Sequence, residues 1–126
     1  MIKSFEHAYY AKVLSETRIF IGASDSCIVD YEGNIIKEYD RMYKATEVYE
    51  NTLMVYYFAD CYLITVNGET IRHYEIGNFA NVSYAGEGVY KITYTDANGG
   101  KYIRFVDAET DEFIGGKYKE TVYYRF

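Results

Sequence analysis

Three aspartates recur along the chain at near-equal spacing, Asp25, Asp60 and Asp96, each just after a run of strand-forming residues. Carboxylates brought together on a three-fold axis could hold a hard cation through oxygen ligands. Asp at a strand end also starts turns by accepting from nearby backbone N–H groups, and that is the expected role here, because a site needs converging side chains. His7 and His73 have no partner at a spacing that suits a general base or a metal ligand. Cys27 and Cys61 are too few for a disulfide framework and lack zinc-site spacing, so they read as packing residues. The glycines of "YAGEGVYK" (84–91) lack the strand–loop–helix context of a phosphate loop. The acidic run "DAETDEF" (107–113), with Asp107 and Glu109, could work as an acid–base pair only inside a cleft. The expectation is therefore a non-enzymatic protein with no catalytic residues, no metal and no cofactor.

Seventeen tyrosines and seven phenylalanines stand beside no tryptophan and no proline. Tyr suits pleated, half-buried surfaces and keeps a polar tip, which favours β-structure. The tyrosines exceed what packing requires, and Tyr84, Tyr94, Tyr123 and Tyr124 are expected to face outward. With Asp107 and Glu109 they make the expected partner-binding set, since such rings are enriched in binding hot spots. The formal charge is −6 and the basic residues are scattered. That disfavours direct nucleic-acid binding, which needs clustered Lys and Arg. It suits a basic protein partner. No run is long enough to span a membrane and no apolar signal segment opens the chain, so a cytoplasmic location is expected.

The elements that must position these residues are strands. Runs such as "RIFIGA" (18–23), "CIVDY" (27–31), "TLMVYYF" (52–58), "YLITV" (62–66) and "VYKITYT" (89–95) are β-branched or aromatic, and turn residues separate them. Connections this short join antiparallel neighbours. "EHAYYAKVLSE" (6–16) is the one stretch that also reads as a helix. Both faces of "TLMVYYF" are apolar, which places it centrally. Asp30 breaks one face of "CIVDY", which places that strand nearer the periphery.

The chain also aligns on itself. At an offset of 35 residues, Asp25, Gly33, Ile36 and Tyr39 fall on Asp60, Gly68, Ile71 and Tyr74. A second register lays "LMVYYFAD" (53–60) on "VYKITYTD" (89–96) and, after an insertion around 98–101, "YLITVNGET" on "YIRFVDAET". Three copies result, about 8–41, 42–77 and 78–117, with a partial one over 118–126, all in a single domain spanning 1–126. Ala108, where the other copies have Gly33 and Gly68, predicts a different turn in the third copy.

In the third copy Glu87-Gly88-Val89, Gly100-Lys101-Tyr102 and Phe105-Val106-Asp107 resemble the Glu-Gly-Leu, Gly-Lys-Trp and aromatic-Ile-Asp steps of the bacterial WG (KWG) repeat. The Trp-Gly pair itself is absent. The resemblance implies a β-repeat scaffold used for protein interaction, with no catalytic residues to carry over. The expected fold is all-β: three antiparallel meander repeats and a C-terminal closing strand (120–126) in a propeller-like closed body. A β-trefoil-like barrel is the second arrangement and an open stack of meanders the third. The expected function is a protein-binding module with a Tyr-rich acidic surface. By analogy it also suits a small phage-type inhibitor of a basic, nucleic-acid-binding host defence protein. The alternative is a β-protein that binds a nucleotide or sugar.

Overall fold

Where a strand of this chain runs into Asp-x-x-Gly or Thr-x-x-Gly, the backbone reverses in one fixed way. A computed structural model describes residues 8–119. In it, Asp30 N donates to Asn34 O at 2.9 Å and Gly33 N to Asp30 O at 3.1 Å. Thr65 with Glu69 and Gly68, and Asp96 with Gly100 and Gly99, repeat the same two bonds at 2.9 to 3.0 Å. Each turn needs a left-handed residue at its fourth position, and glycine supplies it, with φ of 86° at Gly33, 85° at Gly68 and 81° at Gly99. The first residue's side chain locks the loop. Asp30 Oδ1 accepts from the N–H groups of Glu32 and Asn34, and Asp96 Oδ1 from those of Asn98 and Gly100. The Asn34 side-chain amide, helped by these backbone donors, holds the Asp30 carboxyl below its usual range.

These turns help lay out twelve strands: β1 (Tyr10–Ser15), β2 (Arg18–Gly22), β3 (Cys27–Val29), β4 (Ile35–Glu38), β5 (Lys44–Ala45), β6 (Thr52–Tyr57), β7 (Asp60–Thr65), β8 (Thr70–Glu75), β9 (Asn78–Gly86), β10 (Val89–Thr95), β11 (Lys101–Asp107) and β12 (Phe113–Lys119). They form three four-stranded antiparallel sheets, β1–β4, β5–β8 and β9–β12, each pairing its strands in chain order. The β11–β12 turn is indeed different: Asp107 N bonds Glu112 O, and Asp111 takes the left-handed conformation. Among the described residues no helix is long and apolar enough to cross a membrane.

The second sheet lies between the other two because β6 and β7 are apolar on both faces. Leu53, Val55 and Ile64 pack with Leu14, Phe20 and Ile28 of the first sheet. Met54, Cys61 and Leu63 pack with Val82, Tyr90 and Ile92 of the third. The central placement of "TLMVYYF" follows from that alternation. Two expectations change. The stretch 6–16 is no helix where it is described: Tyr10–Ser15 is β1, paired with β2, and Tyr10 lies against the Phe20 ring. "CIVDY" is not peripheral either. Cys27, Ile28 and Val29 are all buried, because Asp30 lies past the strand and serves the turn. The expected closing strand, 120–126, lies outside the described residues, while Tyr118 and Lys119 belong to β12.

Tyrosine hydroxyls stitch the sheets together. Tyr10 Oη accepts from Ala45 N at 2.7 Å, joining the first sheet to the second. Tyr90 donates to Glu47 O at 2.7 Å, and Tyr56 donates to Asn81 Oδ1 at 3.1 Å. Tyr74 donates to Asp111 O at 2.5 Å, where Arg72 also bonds. The abundance of tyrosine thus has a structural use. Each ring fills the gap between sheets while its hydroxyl satisfies a partner on the other side.

Thr46 does similar work from a buried site. Its Oγ1 accepts from Met54 N at 2.9 Å and donates to Glu47 O at 3.1 Å. Thr46→Val keeps the shape and strands that donor, so it should lower unfolding free energy by about 1–3 kcal/mol. Urea denaturation checks this. An unchanged midpoint would show that the bond contributes nothing net.

Candidate functional site

Two hairpin positions that favour small residues carry phenylalanine instead. Tyr57 pairs with Asp60, which leaves Phe58 and Ala59 as a two-residue loop between β6 and β7. Such loops need positive φ at the first residue and favour Gly, Asn or Asp, yet Phe58 occupies it with φ 53°. In β9, Asn78 pairs with Thr95 and Asn81 with Thr93, so Phe79 and Ala80 together oppose Tyr94. This is a β-bulge whose left-handed residue is commonly glycine. Here it is Phe79, φ 55°. Gly77 makes the approach possible, since a Cβ there would sit 2.5 Å from the Tyr94 ring and 2.7 Å from Thr95 O.

The left-handed conformation costs an L-residue on the order of 1–2 kcal/mol, and the rings are too exposed for burial to offset all of it. Phe58 is 54% exposed and Phe79 69%. The two rings meet edge to face at 6.2 Å, Phe58 meets Tyr57 at 4.5 Å, and Tyr57 leads on to Tyr43 at 5.9 Å. A hydrogen bond from Ala80 N to Phe58 O, 2.7 Å, ties the two strained turns together. Between them opens a cleft of about 430 Å³, walled by Tyr56, Tyr57, Phe58, Phe79 and Met42, with Lys44 and Asn81 at its sides. Lys44 makes no ion pair with a described residue. Arg41 lies over the Tyr57 ring at 5.9 Å. The site is apolar and aromatic, with two cations beside it.

None of the described members of the expected binding set lines this cleft, and Tyr84, Asp107 and Glu109 gather around Tyr49 instead. Tyr84 is half-buried, stacked on Tyr49 at 6.2 Å, with its hydroxyl accepting from Gly88 N. Tyr94 does not face outward: it is buried with Tyr90 and Ile92, because the three share one face of β10. Asp107 Oδ1 accepts from Glu109 N inside its own turn. Glu109 accepts from the Tyr49 hydroxyl at 2.8 Å, and that hydrogen bond pushes the phenol up to about 12. Tyr123 and Tyr124 lie outside the described residues.

The residues read for chemistry also disperse. Asp25 is exposed after β2, Asp60 opens β7 and Asp96 locks a turn. Among the described residues no three metal-ligating side chains gather. His73 does gain partners, because the β7–β8 pairing brings it against Tyr62, stacked at 4.3 Å, with Asp60 Oδ1 3.1 Å from its Nε2. Burial, with the Asp60 charge added, pushes the Cys61 thiol up to about 12, so it stays protonated and is no nucleophile. His7 lies outside the described residues.

Sequence reasoning passed over Phe58 and Phe79. The available signal was a bulky aromatic where the turn chemistry asks for Gly or Asn. No protein-family model matches the chain, and no curated protein sequence matches it.

Proposed function

We propose that this chain is a non-enzymatic protein-binding module, built from three copies of one four-strand unit, whose binding site is the Phe58–Phe79 cleft. The three four-strand meanders support the repeat, as does the x-x-x-Gly turn shared by the β3–β4 and β7–β8 connections. Two strained, solvent-facing phenylalanines support the cleft: ring contacts within the chain offset their backbone cost only in part, and the remainder is assigned to what the rings touch. Aromatic anchors at the rim of an apolar hollow are the usual centre of a protein-binding hot spot. The net charge of −6 draws a basic partner at long range, while Lys44 and Arg41 set the charge met at the cleft.

The test is affinity capture from a lysate of the source cells, with the native chain and the Phe58→Ala/Phe79→Ala double variant side by side. One stoichiometric protein should be retained by the native chain and lost by the variant, with both melting alike. Retention by both would move the site away from the cleft. A melting shift with a nucleotide or sugar, and no captured protein, would favour the small-molecule reading.

A further inference from the structure

We propose that the free edge of β9 receives an extended segment of a partner protein by strand addition, with an apolar side chain of that segment entering the Phe58–Phe79 cleft. The proposal rests on the protein-binding reading and adds the form and chemistry of what binds.

Exposed sheet edges normally carry charge, which keeps foreign strands from pairing there. Among the described residues the three sheets have six edge strands. Lys12 guards β1, Lys37 and Glu38 guard β4, Lys44 lies in β5, Arg72 and Glu75 in β8, and Lys117 and Lys119 in β12. The sixth edge, β9, is "NFANVSYAG": nine residues without a charge or a proline. Within the described residues it is also the longest of the twelve strands.

The backbone of this edge is ready to pair. β9 is laddered to β10 on one side. On the other, Ala80 N donates to Phe58 O. From Asn81 to Tyr84 the register with β10 is regular, so strand alternation turns the N–H and C=O groups of Val82 and Tyr84 toward that same outer side, and a second irregularity follows at Ala85. The Phe58 carbonyl and the bulge close one end, the irregularity at Ala85 marks the other, and an incoming strand has the stretch from Asn81 to Tyr84 to run along. The cleft opens at the Asn81 end of that stretch. Strand addition of this kind takes affinity from main-chain hydrogen bonds and specificity from pockets for alternate side chains.

Charge selects the occupant. Lys44 lines the cleft without a carboxylate partner among the described residues and Arg41 stands beyond Tyr57, so an Asp or Glu next to the apolar anchor is favoured. At physiological salt this local attraction outweighs the distant part of the chain's net negative charge, which is screened beyond roughly 8 Å. A second copy fits less well: its own β9 has no carboxylate for Lys44, and both copies carry −6.

The test uses the whole chain and a displayed library of random dodecamer peptides, with enriched peptides resynthesised and titrated by fluorescence polarisation. Enriched peptides should share an aromatic or branched aliphatic residue beside Asp or Glu. Backbone N-methylation should weaken binding by about tenfold or more at every second position and be tolerated between them. Phe79→Gly and Lys44→Glu should each weaken binding by a similar factor. Failure to enrich any peptide overturns the proposal. N-methyl sensitivity spaced by three or four residues, with Phe79→Gly still disruptive, overturns strand addition and leaves the cleft reading standing. Binding that ignores Phe79→Gly and Phe58→Ala sinks the cleft reading as well. A dimer of the chain alone in sedimentation, abolished by Phe79→Gly, would assign the edge to a second copy instead.

Discussion

Phe79→Gly should hold or raise the protein's stability while removing its partner. Truncating a core phenylalanine ordinarily costs about 3–5 kcal/mol through lost burial and the cavity left behind. Phe79 reverses that sign, since 69% of it faces solvent and its φ of 55° strains the backbone. Glycine relieves roughly 1–2 kcal/mol of left-handed strain and gives back about 0.5–1 kcal/mol through the looser unfolded chain. These two terms leave zero to about 1.5 kcal/mol in favour of the variant, less the edge-to-face contact with Phe58 that it gives up. Loss of a hot-spot aromatic costs binding about 2 kcal/mol or more, on the order of thirty-fold in Kd. Thermal melting and titration of the captured partner measure both sides. A variant that melts several degrees lower, or binds as well as the native chain, contradicts the role given to Phe79.

Alkali should unfold the protein in one cooperative step between pH 10 and 12. Burial raises the phenols of Tyr10, Tyr39, Tyr43 and Tyr90 from 10 to about 12, and that of Tyr74 still further. These groups are protonated in the folded state and titrate near 10 once unfolded. Their stabilisation is therefore whole below pH 10 and is lost as pH climbs toward 12. At fully buried Tyr90 the difference between 10 and about 12 corresponds to roughly 3 kcal/mol. A few such sites approach the whole stability of a domain, about 5–15 kcal/mol. The chemistry agrees: Tyr90 and Tyr74 donate to carbonyls across the sheet interface, which a phenolate cannot do. The buried Tyr39 hydroxyl has no hydrogen-bond partner among the described residues to favour its ionised form. Tyrosinate absorbance and far-ultraviolet circular dichroism should change together. Tyr90→Phe should be less stable at pH 7 and fall less steeply above pH 10. Titration near pH 10 with the fold intact would show that the hydroxyls are not held as described.

Much of the scaffold could be read from residue order. The Asp30, Thr65 and Asp96 turns rest on local chemistry, a side-chain acceptor followed three residues on by glycine, and local chemistry survives in any context. The central position of β6 could be read because Leu53, Met54, Val55 and Tyr56 are apolar on both faces. The burial of Tyr94 was also legible: "VYKITYT" alternates, so Tyr94 must share the side of Tyr90 and Ile92. Its outward assignment came from treating the tyrosines as surplus. The burial of β3 was not legible from Asp30, whose side chain belongs to the turn. His73 could not be paired by spacing, because Asp60 and Tyr62 reach it across the strand ladder.

By itself, then, the sequence determined the all-β class, the strand order and the turns, since each depends on neighbours a few residues away. The tertiary structure alone decided which rings are clamps and which are surface. That choice depends on which sheet faces which: Tyr10, Tyr56, Tyr74 and Tyr90 reach partners 25 to 43 residues distant. It also brought Phe58 and Phe79 from separate hairpins to the sides of one cleft, through a backbone bond that local pattern does not encode.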